Sequence, residues 1–212
     1  MSARQYVLSE QVCLQCLIVN LKGSGWMEWF SNPTAGPWKK MRIPGAPESE
    51  EMRFRKEVDR PDLIMCEPLR QVILVLEAKD NPQDLISGTQ IRKSVRVFKD
   101  VFRRIKTILE TSGNIVHMSL SEALLLCGYL FPSVSDAAEI THLLRELESL
   151  HVRECEVLSE QSLIPHIRFM VSRNSEDDLS VTFSLARCTE STSRRCAETL
   201  GTKIFELATP RH

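Results

Sequence analysis

The order of apolar and polar residues along the chain alternates between two periods. Between residues 89 and 109, Ile91, Val95, Phe98, Phe102, Ile105 and Leu109 step by 4, 3, 4, 3 and 4, which is one continuous helical stripe. Residues 62–66 and 71–79 read instead as strands, with Glu67, Pro68, Leu69 and Arg70 as the turn between them. In the longer strand, Gln71, Ile73, Val75, Glu77 and Lys79 share one face and Val72, Leu74, Leu76 and Ala78 the other. Its first part is apolar on both faces, the pattern of a central strand covered on two sides. Charge enters only at its exit, at Glu77 and Lys79.

The remaining elements follow from the same two periods. Residues 4–21 predict a helix with Leu8, Val12, Cys16 and Val19 on one face, ended by Lys22-Gly23-Ser24-Gly25. The stretch 23–48, with Trp26, Trp29, Trp38 and several prolines, keeps neither period and predicts mostly loop, with a short strand around Trp26–Phe30. Residues 51–58 predict a strand that completes a three-stranded meander with 62–66 and 71–79. Asn81-Pro82-Gln83-Asp84 opens a helix or turn, because Asn caps and Pro suits the first helical position. Beyond a short strand at 115–118, Ser119-x-x-Glu122 reads as a capping box for a helix through LSEALLLCGYLF, stopped by Pro132. A helix from Ser135 or Asp136 to Leu150, two strands at 164–174 and 178–186, and a closing helix at 190–207 finish the chain. The expectation is one domain over 1–212 of α/β class, a central mixed β-sheet flanked by helices.

Composition narrows the function classes. With 42% apolar and 26% charged residues the 212-residue chain is of ordinary globular make-up. No apolar run approaches the roughly 18 residues of a membrane span, and the start lacks the layout of a secretory signal, so a cytoplasmic protein is expected. Seven cysteines without a paired framework read as reduced thiols. Cys13-x-x-Cys16 has the spacing of a zinc or thiol-exchange site, but no second pair completes it, and packing is the better reading. His117, His142, His151 and His166 lack ligand-like spacing. The net charge of −1 does not point to nucleic acid, but between Thr89 and Lys106 seven basic residues face one acid. Such a surface holds phosphate backbones, although a solvated helix face has the same composition.

Asp62, Glu77 and Lys79 carry the candidate chemistry. An ion at the end of a buried strand costs several kcal/mol unless it is paired or coordinated. A divalent cation answers that cost for both carboxylates, and hard oxygen ligands suit Mg²⁺. Lys79 would then stand beside a metal-activated water and counter charge developing on a phosphate. A surface Glu77-x-Lys79 pair with Asp62 opening a turn is the bland alternative.

Arg60-Pro61-Asp62, fourteen intervening residues and Glu77-Ala78-Lys79 resemble the signature of the PD-(D/E)xK nucleases, found in many type II restriction endonucleases and in some repair nucleases. The order helix, strand, PD hairpin, ExK strand, helix extends the resemblance over roughly 5–109, with the core motif in 51–110. It implies a restriction endonuclease-like core and Mg²⁺-dependent hydrolysis of DNA. Asp62, Glu77 and the carbonyl of Ala78 would bind the ion, and Lys79 would serve the water. A further acid is expected, for which Glu57, Glu51 and Glu10 compete. Gln90 would approach the site, and Arg92, Lys93, Arg96, Lys99 and Arg103 would hold double-stranded DNA. The loop at 23–48 is a candidate for groove insertion through Trp38, Lys39, Lys40 and Arg42, while its tryptophans fit equally as cover for the core's edge. A sequence-specific restriction enzyme is the leading expectation, as a homodimer whose interface comes from apolar helices between Leu120 and Leu150. A repair or junction-resolving nuclease and a non-catalytic DNA-binding or interaction protein are the alternatives.

Overall fold

Strand β5 (Val72–Ala78) is buried at all seven of its positions, and the fold is arranged around it. The computed structural model describes residues 8–31, 39–41, 52–54, 60–111, 123–134, 136–157, 165–174, 178–186, 198, 200 and 205–206. The other elements are α1 (Glu10–Gly23), β1 (Met27–Ser31), β2 (Lys39–Met41), β3 (Met52–Phe54), β4 (Leu63–Glu67), α2 (Pro82–Leu85), α3 (Gly88–Thr111), β6 (Leu124–Pro132), α4 (Ala137–Val157), β7 (His166–Arg173), β8 (Leu179–Ala186) and β9 (Phe205–Glu206).

Seven strands form one mixed sheet in the order β1-β4-β5-β6-β7-β8-β9. Strands β1, β4 and β5 are an antiparallel meander, and β6 and β7 continue it in parallel. The connection from β5 to β6 is α3, since parallel neighbours need a long crossover. Alternate residues of β5 feed two cores. Ile73 and Val75 pack with Val95, Phe98, Tyr129 and Leu143 on the side of α3 and α4. Leu74 and Leu76 pack with Leu14, Leu17 and Phe169 on the side of α1. The α/β class, the central mixed sheet, both faces of β5 and the stripe of α3 from Ile91 to Ile105 are as the periodicity predicts. Asn81 caps α2 by accepting from the Gln83 amide at 3.2 Å.

Five expectations are corrected. Residues 124–132 are a strand and not a helix, because a continuous apolar run between β5 and β7 satisfies its backbone in the ladder while covering both faces. Most of that segment is therefore interior, and Leu143 and Leu147 of α4 are buried too, so much of the apolar surface expected at a dimer interface packs within the subunit. On α1 the buried face is Cys13, Leu14, Leu17, Ile18 and Leu21, whereas Val12 and Val19 are exposed. The leucine face presents more apolar area to the sheet. Residues 52–54 pair with 39–41 in a separate two-stranded sheet, and the meander's third strand is β1, whose Trp29 and Phe30 are buried. Finally, Phe205–Glu206 pairs with β8 rather than continuing a closing helix. Residues 115–122 lie outside the described residues.

Trp26 and Trp29 are buried in the cores on opposite sides of the sheet, so both cover the core. Cys13, Cys66, Cys127 and Cys155 are buried free thiols. Burial, with the neighbouring Cys16, pushes the Cys13 thiol up to about 12, and burial raises Cys16. Neither thiol is poised as a thiolate for metal or exchange chemistry. Among the described residues, no helix is long and apolar enough to cross a membrane.

Candidate active site

The hairpin of β4 and β5 sets the first two groups. Its register places Leu63 opposite Leu76, and the Asp62 amide extends the ladder by donating to Leu76 O at 3.0 Å. Asp62 is thereby held across from the end of β5, where its Oδ2 accepts from the Ala78 amide at 2.7 Å. Asp62 and Glu77 are both buried, on neighbouring strands of one hairpin.

Glu77 lies on the α3 side of the sheet, opposite Tyr129 of β6. Its Oε1 accepts from Lys79 Nζ at 2.9 Å and from Gln90 Nε2 at 2.7 Å. Gln90 stands on the first turn of α3, where Ser94 Oγ also lies 3.4 Å from its amide nitrogen. The Lys79 amide donates to Leu130 O at 3.0 Å, so the parallel ladder fixes the backbone from which the ammonium reaches back. That ammonium also donates to Ala78 O at 2.6 Å.

The opposite side of the site is made by α1. Ser9 caps this helix, accepting from the Val12 amide at 3.4 Å, and Glu10 follows in its first turn. Glu10 Oε2 is 3.9 Å from Lys79 Nζ. A cavity of about 260 Å³ opens there, lined by Glu10, Asp62, Asp80, Ser9, Gln11 and Ser31, with Leu14 and Ile18 as an apolar wall.

Two buried carboxylates facing one ammonium leave an excess of negative charge. Burial first, then the charge of Glu77, push the Asp62 carboxyl up to about 8, against the Ala78 amide and Lys79, which pull it down. Burial also raises Glu10, opposed by Lys79. Burial alone would depress Lys79, but Glu77, Asp62 and Glu10 outweigh it, and the ammonium is held above its usual range. The site therefore favours a proton on Asp62 or an added cation. Asp62 Oδ, Glu77 Oε and Ala78 O are hard donors of the kind Mg²⁺ takes together with water. Among the described residues, no three His, Cys, Asp or Glu side chains are gathered into a group that could hold a metal by themselves.

Asp62, Glu77, Ala78, Lys79 and Gln90 thus converge, and of the competing acids Glu10 joins them. Glu51, Glu57, Trp38 and Arg42 lie outside the described residues, and Lys39 and Lys40 are described only as backbone of β2. On α3, Arg92, Arg96 and Arg103 are exposed and Lys93 and Lys99 half-buried. Some of these cations are engaged within the protein: Arg92 Nε is 3.2 Å from Glu154 Oε2 of α4, and Arg103 pairs with Asp100. Ser94 and Asp80 belong to the site although neither stood out in the sequence; the one signal for Asp80 is its place directly after Lys79.

Comparison of the chain with protein-family models, with curated proteins and with solved structures finds no match.

Proposed function

We propose that the protein is a metal-dependent endonuclease that hydrolyses phosphodiester bonds of double-stranded DNA in the cytoplasm, with Mg²⁺ held by Asp62, Glu77 and the carbonyl of Ala78. The observation that carries this is the meeting of four groups at the end of a fully buried strand: Glu77 accepts from Lys79 and Gln90, and the Ala78 backbone joins Asp62, at its amide, to Lys79, at its carbonyl. Supporting it, the order α1, β1, hairpin β4–β5, α3 is the order in which the PD-(D/E)xK resemblance places its parts.

When bound, Mg²⁺ supplies positive charge to the phosphate and to the water that attacks it. The protein's own groups do the rest. The Ala78 amide fixes the direction of Asp62, and Gln90 fixes Glu77. Lys79, tethered at a strand end, orients the attacking water and counters charge on the phosphate. Exposed cations of α3 hold the DNA backbone without reading sequence. Sequence-specific cutting of both strands would call for a symmetric pair of subunits.

The test is incubation of purified protein with mixed-sequence duplex DNA and Mg²⁺, followed by sequencing of the ends. Discrete fragments identify a sequence-specific enzyme, and cleavage confined to branched substrates identifies a structure-selective one. If neither substrate is cut, and Asp62→Ala leaves the protein indistinguishable from the wild type in Mg²⁺ binding, the assignment fails.

A further inference from the structure

Lys79 Nζ donates to Glu77 Oε1 at 2.9 Å and to Ala78 O at 2.6 Å. These are the oxygens of β5 proposed as ligands of Mg²⁺, and the role of Glu10 derived from them rests on that reading. An ammonium and a dication cannot share both atoms, because like charges a few ångströms apart repel strongly in a partly buried site. The Lys79 backbone stays in place, its amide fixed to Leu130 O at 3.0 Å, so only its side chain can move. Among the described residues, the other carboxylate within ion-pair reach is Glu10, 3.9 Å away. Glu10 sits on a helix anchored by the Ser9 cap and by Leu14, Leu17 and Leu21 in the core. It shares the cavity wall with Asp62 and Asp80, so an ammonium resting on it faces the space that water and phosphate would enter.

We propose that Glu10 is a positioning residue for Lys79, the carboxylate that receives the ammonium when a divalent cation takes Glu77 and Ala78, and not a third ligand of that cation. Asp62 and Glu77 bind the ion, and Glu10 aims the lysine.

Isothermal titration of Mg²⁺ into the wild type, Glu10→Gln and Asp62→Asn separates the two roles, with the ¹⁵N ammonium resonance of Lys79 followed in the same samples. Asp62→Asn is expected to weaken Mg²⁺ by about tenfold or more, and Glu10→Gln to change it by no more than about twofold. In the wild type Mg²⁺ shifts the Lys79 resonance to a new, still observable position; in Glu10→Gln the resonance is lost to solvent exchange once Mg²⁺ is added. Cleavage by Glu10→Gln shows a lower kcat at unchanged KM. Equal weakening of Mg²⁺ by Glu10→Gln and Asp62→Asn makes Glu10 a ligand and overturns the proposal, as does an identical Lys79 resonance in the two Mg²⁺-loaded proteins. If the wild type binds no Mg²⁺, the metal assignment falls and this proposal with it.

Discussion

Gln90 Nε2 donates to Glu77 Oε1 at 2.7 Å, joining the first turn of the crossover helix to the last buried acid of the strand before it. Gln90 and Lys79 donate to the same oxygen, and together they fix the rotamer of Glu77. Gln90→Leu is expected to fold normally and to lower the cleavage rate by about 10–100-fold, the usual cost of losing a partner that orients a ligand. A rate within about twofold of the wild type in single-turnover assays would remove Gln90 from the site.

The protonation of Asp62 predicts an unusual pH dependence. Its carboxyl titrates near 8 when folded, against an ordinary value of 3.8 when unfolded. Between those limits the folded state binds the extra proton, so stability falls as pH rises from about 4 to 8, by at most about 1.4 kcal/mol per pH unit. Thermal melts in the presence of a chelator should show Tm declining over this window, with Asp62→Asn flattening the slope. Mg²⁺ should protect most at the alkaline end. A Tm that rises from pH 5 to 8 in the wild type and the variant alike contradicts this account.

The cations of α3 are expected to divide into two groups. Arg92 serves the buried Glu154 of α4, and Arg92→Ala should cost roughly 1–3 kcal/mol of stability, because it strips the nearer partner from a buried carboxylate. Arg96→Ala, at an exposed position, should leave Tm unchanged and reduce the salt dependence of duplex binding by about one unit of slope. Fluorescence anisotropy at several salt concentrations, with calorimetry on the same variants, distinguishes the two. A salt slope unaltered in Arg96→Ala would take the helix out of the DNA interface.

Gly128 lets β6 lie against β5. A methyl at this position would come within 2.9 Å of Leu74 Cδ1 and 3.2 Å of Leu76 Cβ. Gly128→Ala should therefore destabilise by about 1–3 kcal/mol, as overpacking of a filled core does. Because Leu76 adjoins Glu77 on β5, the variant should also lose cleavage activity. Chemical denaturation measures the first effect, and unchanged stability would mean that the Leu74 and Leu76 side chains give way at no cost.

Strand β5 was legible because both of its faces are apolar in sequence and both are covered in the fold. Helix α3 was legible because one stripe, buried from Ile91 to Ile105, runs along it. Strand β6 was not, since its leucines, with Glu122 and Ala123 before them in the sequence, favour a helix locally, and only the neighbours β5 and β7 make residues 124–132 a central strand. On α1 two stripes of the same step were available, one through Val12, Cys16 and Val19 and one through Leu14, Leu17 and Leu21; burial chose the larger side chains. Asp62, Glu77 and Lys79 could be found from spacing, because one hairpin carries them all. Glu10 could only compete with Glu51 and Glu57, since its approach to Lys79 depends on how a helix 69 residues earlier in the chain packs against the sheet.

The Ala78 amide has a double membership. It belongs to the backbone of the central strand, yet its hydrogen is donated to the carboxylate of Asp62 and not to a neighbouring strand's carbonyl. Its rate of exchange with deuterated water therefore tracks the carboxylate directly. Loosening of Asp62 by a substitution or a change of pH becomes visible at a single amide while the strand around it stays protected. This gives the site a built-in gauge that can be read without DNA, without a cation and without turnover.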